Sequence, residues 1–352
     1  MTCLIFALKG EGIYSYLGSP IVLSIVFAWL FGVILGSALA VVRQAEQIAH
    51  LLGEPYGTLV LTLAVTFIEV MSISAVMLHG ENNPDLVRDT LMAVIMIILN
   101  GMVGLSLLVG AWKHKEQHYN LQGANAYLGV IVPLAILALV MPDYTVTTKG
   151  PTLSREQQWM LAVILVGLYS VFLAVQTRRH RNFFSLEEAE AGEPHKEIPT
   201  GTRSLPYHVA FLAFYIIPVV YLAEQLAHPA DYLTETLHAP QALTGVVIAV
   251  LVATPEAIGA VRAATANQMQ RSVNIFLGSV LSTIGLTVPA MLLVSNLTGH
   301  PIALGVENAN MVLLLLTLVL SMLTFASGRT NVLQGIVHLL LFFTFLLLLV
   351  QG

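Results

Sequence analysis

Charge is what this chain has least of. Asp, Glu, Lys and Arg make up 10% of its 352 residues, while 57% are hydrophobic; soluble domains carry about 25% charged residues. So little charge excludes an ordinary soluble fold, which could not cover that much apolar surface. Cysteine is nearly absent too: the single Cys3 excludes a disulfide framework and a cysteine-rich metal cluster. No glycine-rich phosphate-cradling loop occurs, so nothing points to ATP as an energy source. No basic stripe suggests a nucleic-acid partner. Paired catalytic aspartates, an HExxH helix and a serine–histidine set at one depth are all missing, which argues against an intramembrane hydrolase.

What the chain has in abundance is long apolar runs. A spanning helix needs about 20 mostly apolar residues, because every backbone polar group must be satisfied inside the lipid. Stretches such as 90–112, 272–299 and 330–352 reach that length without Asp, Glu, Lys or Arg. Ten spans are predicted, at 20–42, 57–78, 89–111, 125–142, 157–177, 206–227, 241–263, 272–297, 306–326 and 330–350. The fold class is therefore an all-α membrane protein, with the lipid bilayer as its constant partner. Residues 1–19 form an N-terminal segment with no small-residue cleavage pattern. Nothing in the sequence demands a homo-oligomer, and nothing forbids one.

One long polar segment, 178–205, separates five spans (20–177) from five (206–352). It contains Glu187, Glu188, Glu190 and Glu193. Eleven of the fifteen Lys and Arg residues fall in loops on one side of the membrane, the linker's side; Lys9, Arg88, Lys149 and Arg155 fall on the other. The positive-inside rule places the first set, and the linker, in the cytoplasm. Because five is odd, the halves enter the membrane with opposite orientation. Inverted halves are a common build for secondary transporters, with the binding site near the midplane.

The halves also repeat chemically. The second span of each carries a lone mid-span carboxylate: Glu69 in LTLAVTFIEVMSISAVML and Glu256 in LTGVVIAVLVATPEAIGAV. An ionisable group at that depth costs at least a few kcal/mol and is a functional candidate by default. Helical spacing puts Thr62, Thr66 and Ser72 on the face of Glu69. Pro255 has no N–H, which leaves the backbone carbonyl of Leu251 without its helical donor just before Glu256. The third span of each half is rich in small and polar residues, and aligning Arg88 with Arg271 sets Asn100 opposite Thr283. Asn100, Ser279 and Thr283 are second-rank ligand candidates; His338 reads as a hydrogen-bonded core histidine. Together these are oxygen donors, which suit Ca²⁺ best through its tolerance of many oxygens, then Na⁺ and K⁺, Mg²⁺ less, and Zn²⁺ or Cu⁺ poorly. Burial makes H⁺ a competitor for the same carboxyl oxygens. The expectation is a cation/proton antiporter with no permanently bound cofactor, its cargo being Ca²⁺ or a monovalent cation and H⁺. A cation channel lined by the same carboxylates is the alternative.

Three segments, in this order and spacing, carry a family resemblance: LGEPYGTLVLTLAVTFIEV (52–70), ATPEAIGAVRAATANQMQRSVNIFLGSVLSTIGLTVP (253–289) and SGRTNVLQG (327–335). From about Val41 to the C-terminus the chain resembles the calcium/proton exchanger family of the calcium/cation antiporter superfamily, and most closely its bacterial, ChaA-like branch. The resemblance implies that the glutamate of each half, here Glu69 and Glu256, binds the cation and exchanges it for protons. It also implies a role for the Gly278-Ser279 pair, a bacterial inner-membrane location, and sodium and potassium beside calcium as substrates. The family's Gly-Asn pair before each glutamate reads Val65-Thr66 and Val252-Ala253 here.

Overall fold

A computed structural model describes residues 1–53, 56–79, 83–179, 181–184, 204–306 and 308–351. The four linker glutamates lie outside the described residues. Among the described residues the regular structure is helical, apart from an isolated bridge between His118 and Arg329. A short helix, α1 (Thr2–Tyr14), comes first. Ten helices long and apolar enough to cross a membrane follow: α2 (Pro20–Leu52), α3 (Leu59–Met77), α4 (Leu86–His114), α5 (Leu121–Tyr144) and α6 (Arg155–Arg179) in one half, then α7 (Leu205–Thr236), α8 (Ala242–Thr265), α9 (Met269–Thr298), α10 (Asn308–Phe325) and α11 (Val332–Gln351) in the other. This is the ten-helix, inverted-repeat architecture that the sequence predicts.

Several helices run beyond their predicted ends. α2 continues for ten residues past Val42, through the exposed Arg43 and Glu46, because Ala45 and Ile48 remain buried and Gln44 accepts at 2.7 Å from the ring of His208 on α7. Hydropathy ends a span at its first charge. An amphipathic turn packed on a neighbour does not end there.

Two apolar clusters organise the packing. In one, Leu23, Val26, Leu30, Ile34 and Val41 of α2 meet Val219, Leu222 and Leu226 of α7, with Phe6 of α1, Ile68 of α3 and Leu251 of α8 against them. The larger cluster fills the space among α3, α4, α5, α6, α8, α9, α10 and α11. Small residues allow its helices to touch backbone to backbone, as they commonly do in lipid. A Cβ on Gly245 of α8 would lie 2.8 Å from the Thr90 nitrogen of α4, and one on Gly335 of α11 would lie 2.9 Å from the Gly104 oxygen.

The inverted repeat is visible in these contacts. The third helix of each half packs on the fifth helix of the other: α4 on α11 at Gly104 and Gly335, and α9 on α6, where Tyr169 fills the space beside Gly285. Both third helices also widen into a π-turn at mid-span, over Ile97–Met102 in α4 and Thr283–Thr287 in α9. Such turns are rare and often mark functional sites. They contain Asn100 and Thr283, the two residues that the sequence repeat sets opposite one another.

Candidate functional site

Glu69 sits at the middle of α3 and is 2% exposed. Its Oε2 accepts two hydroxyl hydrogen bonds from the π-turn of α9, from Thr283 Oγ1 at 3.0 Å and Thr287 Oγ1 at 2.8 Å. Its Oε1 is buried without a hydrogen-bond partner, and so is the Oγ1 of Thr66, one turn earlier on the same helix. A buried carboxyl oxygen and a buried hydroxyl left open on one face form an uncommon arrangement, since buried polar groups are almost always paired. Cation chemistry fits it well: two open oxygens share a helix face, and one belongs to a carboxylate held from behind.

Glu256 comes from α8, in the other half, and accepts a short hydrogen bond from Ser279 of α9. Pro255 lies inside α8 without ending it, which puts the Leu251 carbonyl one turn before Glu256 at the position a proline deprives of a donor. Thr254, beside it, returns its hydroxyl to Val250 O at 2.5 Å. Ser279, which bonds Glu256, and Thr283, which bonds Glu69, are four residues apart on α9. One helix, α9, therefore holds both carboxyls, Glu256 by Ser279 and Glu69 by Thr283 and Thr287.

Glu256 and Ser279 also line a cavity of about 390 Å³, together with Thr62, Tyr127, Gln176 and Asn274. Its mouth carries Glu46 and Arg271, at the ends of α2 and α9 that the basic loops assign to the cytoplasm. A second cavity, of about 510 Å³, opens on the opposite side, lined by His79, Asp85, Asp231, Glu235, His238 and Thr244. Glu69 lines neither cavity. The first cavity thus reaches Glu256 and not Glu69, and the second ends short of both.

Of the residues singled out in the sequence, Glu69, Thr66 and Thr283 come together around one carboxyl, and Glu256 and Ser279 around the other. Asn100 departs from expectation. Its Nδ2 donates to Thr317 Oγ1 at 2.8 Å, and its Oδ1 lies 3.2 Å from His338 Nδ1, while Thr324 Oγ1 lies 2.9 Å from His338 Nε2. The amide is thus used in a closed network among α4, α10 and α11, whose Asn100, Thr317 and His338 are 0% exposed. The cause is the fifth helix of the second half: tight packing at Gly104 brings His338 within reach of Asn100. In the first half the corresponding helix supplies Tyr169, which packs beside Gly285, and Thr283 donates to Glu69. His338 is the hydrogen-bonded core histidine expected. Thr287 is the site residue that sequence reasoning misses; its only signal is its place four residues after Thr283 on the same helix.

A membrane-spanning helical bundle with two carboxyls from inverted halves, held by hydroxyls at mid-span, defines the class as a secondary-transporter fold with a cation site. Similarity to known proteins places it more closely. The sequence profile for the sodium/calcium exchanger protein family matches residues 22–178 and 207–351, one match per half. The chain belongs to that family. It is 41% identical over 331 residues to the sodium-potassium/proton antiporter ChaA of Escherichia coli (strain K12), covering 93% of this chain and 89% of that one. Among solved structures, native YfkE superposes with a TM-score of 0.76 at 20% identity, over 99% of this chain and 97% of that one. The H⁺/Ca²⁺ exchanger CAX superposes with a TM-score of 0.69 at 12% identity, over 98% and 85%.

Proposed function

We propose that this protein is a secondary cation/proton antiporter of the bacterial inner membrane, in which Glu69 and Glu256 bind a hard cation and release it on protonation. The observation that carries this reading is the unpartnered Oε1 of Glu69, one turn from the unpartnered Oγ1 of Thr66, on a carboxyl held by the same helix that holds Glu256. A carboxylate there needs either a cation or a proton, and cannot hold both on one oxygen. Exclusive occupancy of that kind is the chemical basis of exchange. The family supports the reading, as does the E. coli relative, whose name is that of a sodium-potassium/proton antiporter. A relative in Bacillus subtilis, 26% identical over 217 residues, is named a Ca²⁺/H⁺ antiporter, so Na⁺, K⁺ and Ca²⁺ are all candidate cargoes.

In the conformation described, Glu256 faces the cytoplasmic vestibule and Glu69 is closed off. Exchange then needs the second vestibule to reach the carboxyls while the first closes. The separation into an α2–α7 cluster and a larger body suits such movement, because the helices of each cluster can shift as a unit. A channel lined by the same carboxylates would need a continuous path, whereas the two cavities stop on opposite sides of a buried Glu69. In proteoliposomes with an internal pH indicator and clamped membrane potential, adding Na⁺, K⁺ or Ca²⁺ is expected to move protons the opposite way. Cation flux with no proton movement would instead support the channel.

A further inference from the structure

Both oxygens of Glu69 are buried, but they are not equivalent. Oε2 accepts from Thr283 and from Thr287. A carboxylate oxygen offers about two lone-pair sites, so these two hydroxyls occupy that oxygen and leave Oε1 alone to meet cargo. On the other carboxyl, Ser279 takes one of the lone-pair sites on one oxygen of Glu256. The asparagine positions of the resembling family are Thr66 and Ala253 here, of which only Thr66 offers a side-chain oxygen.

We infer that Thr283 and Thr287 are specificity-determining residues: by occupying Oε2 they make Glu69 a one-oxygen ligand, and so favour a monovalent cation, Na⁺ or K⁺, over Ca²⁺. The reasoning is one of coordination number. Ca²⁺ takes six to eight oxygens and gains from carboxylates that bind through both oxygens at once. A site in which Glu69 offers one oxygen and Glu256 is partly taken by Ser279 is short of that number. Na⁺ and K⁺, with half the charge, lose less by a sparse shell. The π-turn matters here because it sets Thr283 and Thr287 against α3. Elsewhere, helical hydroxyls return to their own backbone, as Thr90 does to Leu86 O at 2.7 Å and Ser170 to Val166 O at 2.7 Å.

This inference rests on the antiport reading, and one experiment separates the two. Proton exchange driven by Na⁺, K⁺ and Ca²⁺ is measured in proteoliposomes for the wild type, Thr283→Val, Thr287→Val, the double valine variant and Thr287→Ser. Valine keeps the shape and removes the hydroxyl; serine keeps the hydroxyl. The wild type is expected to prefer Na⁺ or K⁺. Each valine is expected to raise the ratio of Ca²⁺ to Na⁺ apparent affinity by about two- to tenfold, the range of one hydrogen bond, and the double variant to raise it further. Thr287→Ser is expected to keep the wild-type ratio. Alanine replaces valine in any variant that fails to insert. A wild type that prefers Ca²⁺, a ratio that stays unchanged, or an equal loss of all three cations, as expected if the hydroxyls were themselves ligands, overturns the proposal while leaving antiport standing. A wild type that exchanges none of the three for protons overturns the antiport reading and the proposal with it.

Discussion

Replacing Glu69 with glutamine is the perturbation whose consequences the geometry defines most fully. The amide keeps the size of the carboxyl. Its oxygen can take the place of Oε2 and accept from Thr283 and Thr287, at 3.0 and 2.8 Å in the parent. Its NH₂ then points where Oε1 stood, a position with no hydrogen-bond partner in the parent. The folded protein therefore loses no hydrogen bond. Stability is expected to stay within about 1 kcal/mol of the parent, since the hydrogen bonds from Thr283 and Thr287 are kept and a buried ionisable group gives way to a neutral one of the same shape. Transport should not survive. A cation facing an NH₂ in place of a carboxylate oxygen loses a buried charge partner, worth about 3–5 kcal/mol, or roughly two to three and a half powers of ten in binding. The variant also cannot carry a proton on the return step. The assay pairs cation-driven pH change in proteoliposomes with thermal unfolding in detergent. Exchange above about a tenth of the parent rate, a loss of under 1.4 kcal/mol, in a protein of unchanged melting temperature would refute the reasoning.

Four further outcomes are expected. Lowering pH on the binding side should weaken apparent cation affinity, by up to about tenfold per pH unit for each proton displaced, because protons and cation compete for one oxygen; affinity that strengthens as pH falls would contradict the competition. His338→Ala strands Asn100 Oδ1 and Thr324 Oγ1, at about 1–3 kcal/mol for each buried group, so melting temperature should drop while cation preference in the surviving protein stays put. Gly245→Ala sets a Cβ 2.8 Å from the Thr90 nitrogen and should destabilise by about 1–3 kcal/mol through overpacking, read by thermal unfolding. Changing Glu187, Glu188, Glu190 and Glu193 together to Gln should leave the maximal rate largely intact, since charges outside the membrane are screened at physiological salt; complete loss of exchange with normal insertion would bring them into the core mechanism.

The two carboxyls were legible because a lone charge in a long apolar run is too costly to keep unless it is used, and the halves were legible because Glu69 and Glu256 recur at matching places. Helix length was less so: α2 outlasts its apolar run because Ala45 and Ile48 still pack against a neighbour, and packing is a property of two helices. Thr287 was hidden for a related reason. A helical threonine usually bonds its own backbone, and only the π-turn at Thr283–Thr287 sends this one across to Glu69. Asn100 misled because the repeat holds in the course of the helices and not in the side chains that face them. Its π-turn mirrors that of α9, but the fifth helix facing it carries His338 where the other half carries Tyr169.

The most direct test asks whether a cation gradient alone can move protons uphill, and whether Glu256 is needed. Proteoliposomes loaded with Na⁺ or K⁺ are diluted into medium of equal pH without that cation, under a clamped membrane potential. As the cation leaves, the interior is expected to acidify; a tenfold gradient supplies about 1.4 kcal/mol, enough for about one pH unit in one-for-one exchange. Glu256→Gln is expected to abolish the acidification. Cation loss with no change in internal pH, or acidification by Glu256→Gln at the wild-type rate, would contradict exchange at the two glutamates.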